Sequence, residues 1–222
     1  LLNRSGGAAY VGIGVRIPND LWRAGQWTDV GTVYTDDTTD AQDRDASDFP
    51  LETTTNSDGY VVISQVPFNA VLVDIGTASV DAVSVARSAR YSNSATTWAA
   101  LTTLVLTGAA VNYSTTTETV VVFDIPVDWT RSNASETLGT GIGSGYYAMN
   151  VRATDAPGTT AGVATAISIY RIYFLESISN NVTKEINLGG IELWMQHGDA
   201  LTAFFSVANA SNRVSALVRP RG

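Results

Sequence analysis

Apolar residues recur at every second position along much of this chain. Val61 and Ile63, then Val71, Val73 and Ile75, alternate with other residues, as strands do when they bury one face. At Val120–Ile125 the run is denser: Val121, Phe123 and Ile125 stand opposite Val120, Val122 and Asp124, which predicts a strand covered on both faces. Further strands are predicted at Tyr147–Ala153, Ala166–Leu175, Ile191–Met195, Leu201–Val207 and Val214–Val218. Turn sequences punctuate them, among them Ser57-Asp58-Gly59, Gly108, Gly143-Ser144-Gly145, Ala156-Pro157-Gly158, Leu188-Gly189-Gly190 and His197-Gly198-Asp199. Strand-and-turn units of about 10–15 residues indicate an all-β sandwich and not βαβ units.

No segment carries apolar residues at helical spacing for three turns. Asp81–Arg90 reads either as a short helical turn or as a strand, since Val83 and Val85 suit both. Thr35–Phe49 is expected to be a long polar loop and Ser177–Lys184 a second polar connector. There is no repeat of fixed period. The organisation expected is an N-terminal arm over residues 1–25, a β-sandwich over 26–176, and C-terminal strands with a basic tail over 177–222. That last segment should pack on the same domain, because some fifty residues make a weak core without cysteines or metal.

Composition narrows the classes. The chain has 222 residues, 45% of them apolar, enough for a sizeable core. It contains no cysteine, which removes disulfides, thiolate zinc sites and cysteine nucleophiles together. No run approaches the ~18 apolar residues of a membrane helix, and no membrane partner is expected. No charged-then-apolar leader is visible, although the chain opens on Leu1 and not Met, so targeting is not read from that end. The formal charge is -8, and Lys184 is the sole lysine, a balance that repels phosphate backbones and argues against a nucleic-acid partner. Charged residues make up only 15%, with Ser and Thr in their place. Such a surface suits a β protein that commits area to neighbours, and a plain secreted sandwich would share it.

Candidate chemistry is sparse. His197 is the only histidine; it could act as a base oriented by Asp199, but no nucleophile elbow accompanies it, and a Gly-Asp triplet between strands is an ordinary hairpin turn. A histidine-built zinc site needs more than one. The cluster Asp36, Asp37, Asp40, Asp43, Asp45 and Asp48 is the one metal candidate, and Asp43-x-Asp45-x-x-Asp48 resembles half a calcium loop. It lacks the glycine and terminal glutamate, and Arg44 should partly neutralise it. Nothing fixes the carboxylate separation a glycosidase requires. The alternating Gly139, Gly141, Gly143 and Gly145 precede no helix or Lys-Ser/Thr, so they read as a loop or bulged edge and not as a phosphate cradle. No catalytic residue, cofactor or metal is therefore expected. The ends differ: Leu1–Arg16 is glycine-rich, and Arg213, Arg219 and Arg221 make the C-terminus basic, which suits arms that gain order on a neighbouring subunit.

One constellation is more specific. It runs from Tyr34-Thr35-Asp36-Asp37 through Asp58-Gly59-Tyr60-Val61, Pro67-Phe68-Asn69-Ala70, Tyr91-Ser92-Asn93 and Thr97-Trp98-Ala99-Ala100-Leu101. It closes with Pro126-Val127-Asp128-Trp129 and Gly145-Tyr146-Tyr147-Ala148-Met149-Asn150-Val151-Arg152. Over about Thr32 to Leu175 this resembles a β-sandwich module of tailed-bacteriophage virion proteins, found in tail, baseplate and capsid-decorating proteins. The chain departs from it at Asn93-Ser94, where the module has Asn-Gly, and after Leu101, where an aspartate-rich turn is missing. The resemblance implies an all-β, jelly-roll-like antiparallel sandwich and a non-enzymatic virion role, first of all capsid decoration. Partners would be other copies, in a symmetric oligomer such as a trimer, and major capsid or tail proteins. The rival expectation is a carbohydrate-binding fibre module that stacks sugars on Trp22, Trp27, Tyr146 and Trp194. Residue by residue, Trp98 and Trp129 are expected in the core, Pro126 as a strand stop, and Asp128 as a turn acceptor for backbone N–H groups. Tyr146 and Tyr147 should face opposite ways.

Overall fold

The computed structural model describes residues 9–29, 32–44, 46, 48–54, 58–81, 87–94, 97–106, 113, 116, 118–132, 138, 140–153, 158–178 and 201–205. Two compact units divide the chain, one of Ile17–Arg171 and one of Leu1–Arg16 with Ile172–Gly222.

The strands in chain order are β1 (Ala9–Arg16), β2 (Trp22–Thr28), β3 (Val33–Asp36), β4 (Phe49–Pro50), β5 (Gly59–Ser64), β6 (Ala70–Thr77), β7 (Val80–Asp81) and β8 (Arg87–Ser92). They continue as β9 (Trp98–Ala100), β10 (Thr103–Leu106), β11 (Glu118–Phe123), β12 (Tyr147–Ala153), β13 (Gly158–Thr160), β14 (Val163–Ile178) and β15 (Leu201–Phe205). A 3-10 turn covers Asn19–Leu21, and a short helix, α1, covers Thr38–Asp43.

Within Ile17–Arg171 two antiparallel sheets pack face to face, an all-β sandwich. One has the order β10-β11-β6-β14, with β4 also on β14; the other runs β3-β2-β5-β12-β8-β9. β7 and β13 form a separate ribbon. The two-residue alternation sets which side chains meet between the sheets. From one sheet come Val71, Val73, Ile75, Val121, Phe123, Ile167 and Ile169; from the other come Trp22, Ala24, Tyr60, Val62, Met149 and Val151. β5 and most of β11 are buried along their length, so both strands are covered on each face. For β11 the dense pattern foretold this. For β5 the cover is a second, smaller cluster of Trp27, Tyr34, Val61, Ile63, Leu138, Ile142 and Ala148 on the outer face of the six-stranded sheet.

One fully buried ion pair lies inside this unit. Arg87 donates to Glu52 through Nε (2.8 Å) and Nη2 (2.9 Å), and both side chains are 1% exposed. Ser79 Oγ, the Gly162 N–H and the Tyr113 ring complete the shell, so the pair is hydrogen-bonded on several sides, as buried charge requires.

In the other unit β1 pairs antiparallel with β15, with Ile13 opposite Ala203. The stretch read as an arm is therefore a strand from Ala9 onwards. Its glycines hid the alternation.

The expected long loop at Thr35–Phe49 also differs. Thr35 and Asp36 close β3, and α1 follows. Only Ala41 of α1 is buried, so a six-residue helix offers no apolar period to read. It is fixed by tertiary bonds: Thr38 Oγ1 exchanges hydrogen bonds with the Ala24 backbone, and Gln42 Nε2 donates to the Asn19 and Trp22 carbonyls. Arg44 ends it in the left-handed region at φ 67°. Of the ambiguous Asp81–Arg90 segment, Arg87 onwards is strand β8. The predicted strands at Ile191–Met195 and Val214–Val218 lie outside the described residues, as do His197, Trp194 and Arg213, Arg219 and Arg221.

Candidate functional site

Part of the sequence constellation, namely Phe68, Tyr91, Ser92, Pro126, Asp128, Trp129 and Tyr147, meets at one corner of the sandwich. Pro126 ends the run that follows β11, and the Trp129 N–H donates to its carbonyl at 3.2 Å, closing the turn. Trp129 then enters the core, 8% exposed, with its ring edge-on to Phe68 (5.0 Å), Tyr147 (5.6 Å), Phe123 (5.8 Å) and Tyr91 (6.4 Å). Its Nε1–H donates to Ser92 Oγ and to the Ala148 carbonyl. Ser92 Oγ in turn donates to the Thr130 carbonyl and accepts from the Ala148 N–H. Asp128 was expected to accept backbone N–H groups; its Oδ1 receives the Tyr91 hydroxyl at 2.8 Å, and that bond raises the Tyr91 pKa.

Tyr146 and Tyr147 do face opposite ways. Tyr147 packs on the inner core and Tyr146 on the outer cluster. Trp98 is not in the inner core. It lies half-buried on the outer face, with its Nε1–H on the Leu138 carbonyl at 3.1 Å. Trp22 and Trp27 are 1% and 3% exposed, so neither offers a platform to a sugar ring.

The acidic segment gathers only in part. Carboxylate oxygens of Asp40, Asp43 and Asp48 lie within 4.8 Å of one another, whereas Asp45 falls outside the described residues. Asp36 instead accepts the Thr38 N–H and pairs with Arg23 at 3.7 Å. Arg44 reaches Ser168 Oγ at 3.5 Å. Desolvation, with the hydrogen bond and charge of Asp40 next, pushes the Asp37 carboxyl up to about 6.

Sequence reasoning missed the outer face of the six-stranded sheet. Thr140 bonds across the edge of β3, donating to the Thr32 carbonyl and accepting the Tyr34 N–H. Gly141, with φ 103°, makes this close approach possible, since a Cβ there would lie 2.6 Å from the Tyr34 carbonyl oxygen. Leu138 and Ile142 are thereby laid over the sheet. Beside them the Arg90 guanidinium lies 4.9 Å from the Trp27 ring centroid and 5.5 Å from that of Trp98. Its Nε and Nη2 both donate to Asn150 Oδ1, at 3.1 and 2.6 Å. Asn150, wholly buried, returns its Nδ2 to the Tyr60 carbonyl. Arg152 covers the same Trp27 ring at 6.0 Å and pairs with Asp29 at 3.0 Å. The legible signal was Arg90 opposite Asn150, with Arg152 two residues on, all outward by strand alternation.

The described residues also border shallow depressions. One of about 450 Å³ is bordered by Leu21, Gln65, Arg131 and Tyr146, another of about 300 Å³ by Tyr91, Leu101, Asp124 and Val127. Among the described residues no helix is long and apolar enough to cross a membrane. No protein-family model, curated protein or solved structure matches the chain.

Proposed function

We propose that this chain is a non-enzymatic structural protein of a tailed-bacteriophage virion, a jelly-roll-like sandwich that decorates or cements the capsid shell. The observation that supports the reading is the Trp129 corner. Of the residues that resemble the phage module, Pro126, Asp128, Trp129, Tyr91 and Tyr147 hold one joint between the sheets, while Tyr34, Trp98, Tyr146 and Arg152 lie on the outer layer. Val127, fully exposed at the tip of that corner, and Val80, 55% exposed, supply apolar area for a neighbour to cover. Partners in this reading are further copies of the chain, in a symmetric oligomer such as a trimer, and a major capsid or tail protein; the location is the virion.

Electron-microscopy density of the intact particle tests the proposal. The chain should account for density repeated hundreds of times on the outer shell. A handful of copies at a fibre tip, or none in the particle, would overturn capsid decoration. Cleavage of peptidoglycan or polysaccharide by the purified chain, lost in His197→Asn, would overturn the non-enzymatic assignment.

A further inference from the structure

The outer face of the six-stranded sheet holds more positive charge than it neutralises. Arg23, Arg90 and Arg152 all lie against its aromatic rings, over Tyr146, between Trp27 and Trp98, and over Trp27 respectively. Arg23 has Asp36 and Arg152 has Asp29. Arg90 has no carboxylate partner among the described residues; its bonds go to the neutral Asn150 amide. Burial, followed by the like charge of Arg152 and opposed by the charge of Asp29, lowers its pKa to about 10, so it stays protonated at neutral pH. A half-buried guanidinium beside another cation is costly unless an anion completes it.

Two further donors at the same place lack acceptors. The Trp27 indole Nε1–H, in a residue 3% exposed, and the buried Arg152 Nε–H have no hydrogen-bond partner among the described residues. Buried donors of this kind are rare in a folded chain and call for an acceptor. Both donors belong to residues that touch the same Trp27 ring as Arg90, and an anion would supply the acceptor they lack.

We infer that Arg90, clamped by Trp27 and Trp98 with Arg152 beside it, is a seat for a carboxylate carried by a molecule outside this chain. The planar fork of a guanidinium fits the two oxygens of a carboxylate. A carboxylate suits a guanidinium whose own bonds go to a neutral amide and whose neighbouring arginines have Asp36 and Asp29. The side chain of Arg152 keeps 28% of its exposure, so the seat opens to solvent. This inference is independent of the virion assignment and survives its failure.

The test is a titration of the folded full chain, nitrogen-15 labelled, with sodium acetate against sodium chloride at matched ionic strength. The readout is the Trp27 indole N–H resonance, assigned by its loss in Trp27→Phe. Acetate should shift it saturably and chloride should not. Identical, unsaturated drift with both salts overturns the seat, and this result requires no variant to fold. Arg90→Gln should weaken acetate at least tenfold. Arg90→Lys, which keeps the charge but loses the fork, should also weaken it. Wild-type affinity in either folded variant overturns the role of Arg90. A peptide of residues 36–48 of this chain, titrated alongside, separates the sources within the proposal. Much tighter binding than acetate identifies the acidic segment of a second copy, and equal binding identifies a small carboxylate.

Discussion

Trp129 and Trp98 share a residue type and little else. Trp129 fills the inner core with four aromatic neighbours, so Trp129→Ala should cost roughly 3–5 kcal/mol through the cavity it leaves. Trp98 is half-buried on the outer face, and Trp98→Ala should cost about 1–2 kcal/mol. Urea unfolding of the two variants checks the order, and equal losses would contradict the two-layer picture. The ion pairs divide in the same way. Glu52→Ala strands Arg87 in a site 1% exposed and should cost about 3–5 kcal/mol. Asp36→Ala removes a pair whose side chains are 55% and 47% exposed, and the effect should stay within about 0–1 kcal/mol.

At the level of elements, α1 and its acidic flank carry a pH dependence whose sign follows from Asp37. Its folded pKa, about 6, lies above the ordinary carboxylate value of 3.8, so the folded chain binds more protons than the unfolded chain between those values. Stability through this group therefore falls as pH rises from about 4 to about 6, and the penalty persists above. Asp37→Asn should raise the urea midpoint at pH 7 and flatten its change between pH 4 and 7. An unchanged profile would show that Asp37 is not destabilised as a carboxylate. Strand β5 depends on a different feature. A Cβ on Gly59 would stand 2.0 Å from the Val151 carbonyl oxygen, across the β5–β12 pairing. Gly59→Ala should force these strands apart and cost about 1–3 kcal/mol or more, read as a lower melting temperature.

For the molecule as a whole, both buried clusters consist of residues between Ile17 and Ile169. A fragment of residues 17–171 should therefore unfold cooperatively by itself, with Trp129 fluorescence tracking the transition. A fragment that melts without a transition would show that this core needs the rest of the chain. The charge of -8 makes a second expectation: at low salt the full chain should not retard duplex DNA in a gel.

Alternation by itself determined the all-β class and most central strands, because a half-buried strand must write its two faces into every second residue. β5, β6, β11, β12 and β14 all coincide with runs visible in the sequence. The same logic showed that Tyr146 and Tyr147 diverge. It could not show which of two apolar layers each face would join, so Trp98 was expected inside. The second layer exists only because glycines with positive φ let a loop fold back over the sheet, a contact between residues about a hundred positions apart. α1 was silent for a related reason: it is held by hydrogen bonds to Ala24, Asn19 and Trp22, not by an apolar stripe. The Arg90 seat joins β2, β8, β9 and β12, strands whose order in the sheet is not their order in the chain. Side chains from such strands become neighbours through pairing alone, and only the folded structure decides that pairing.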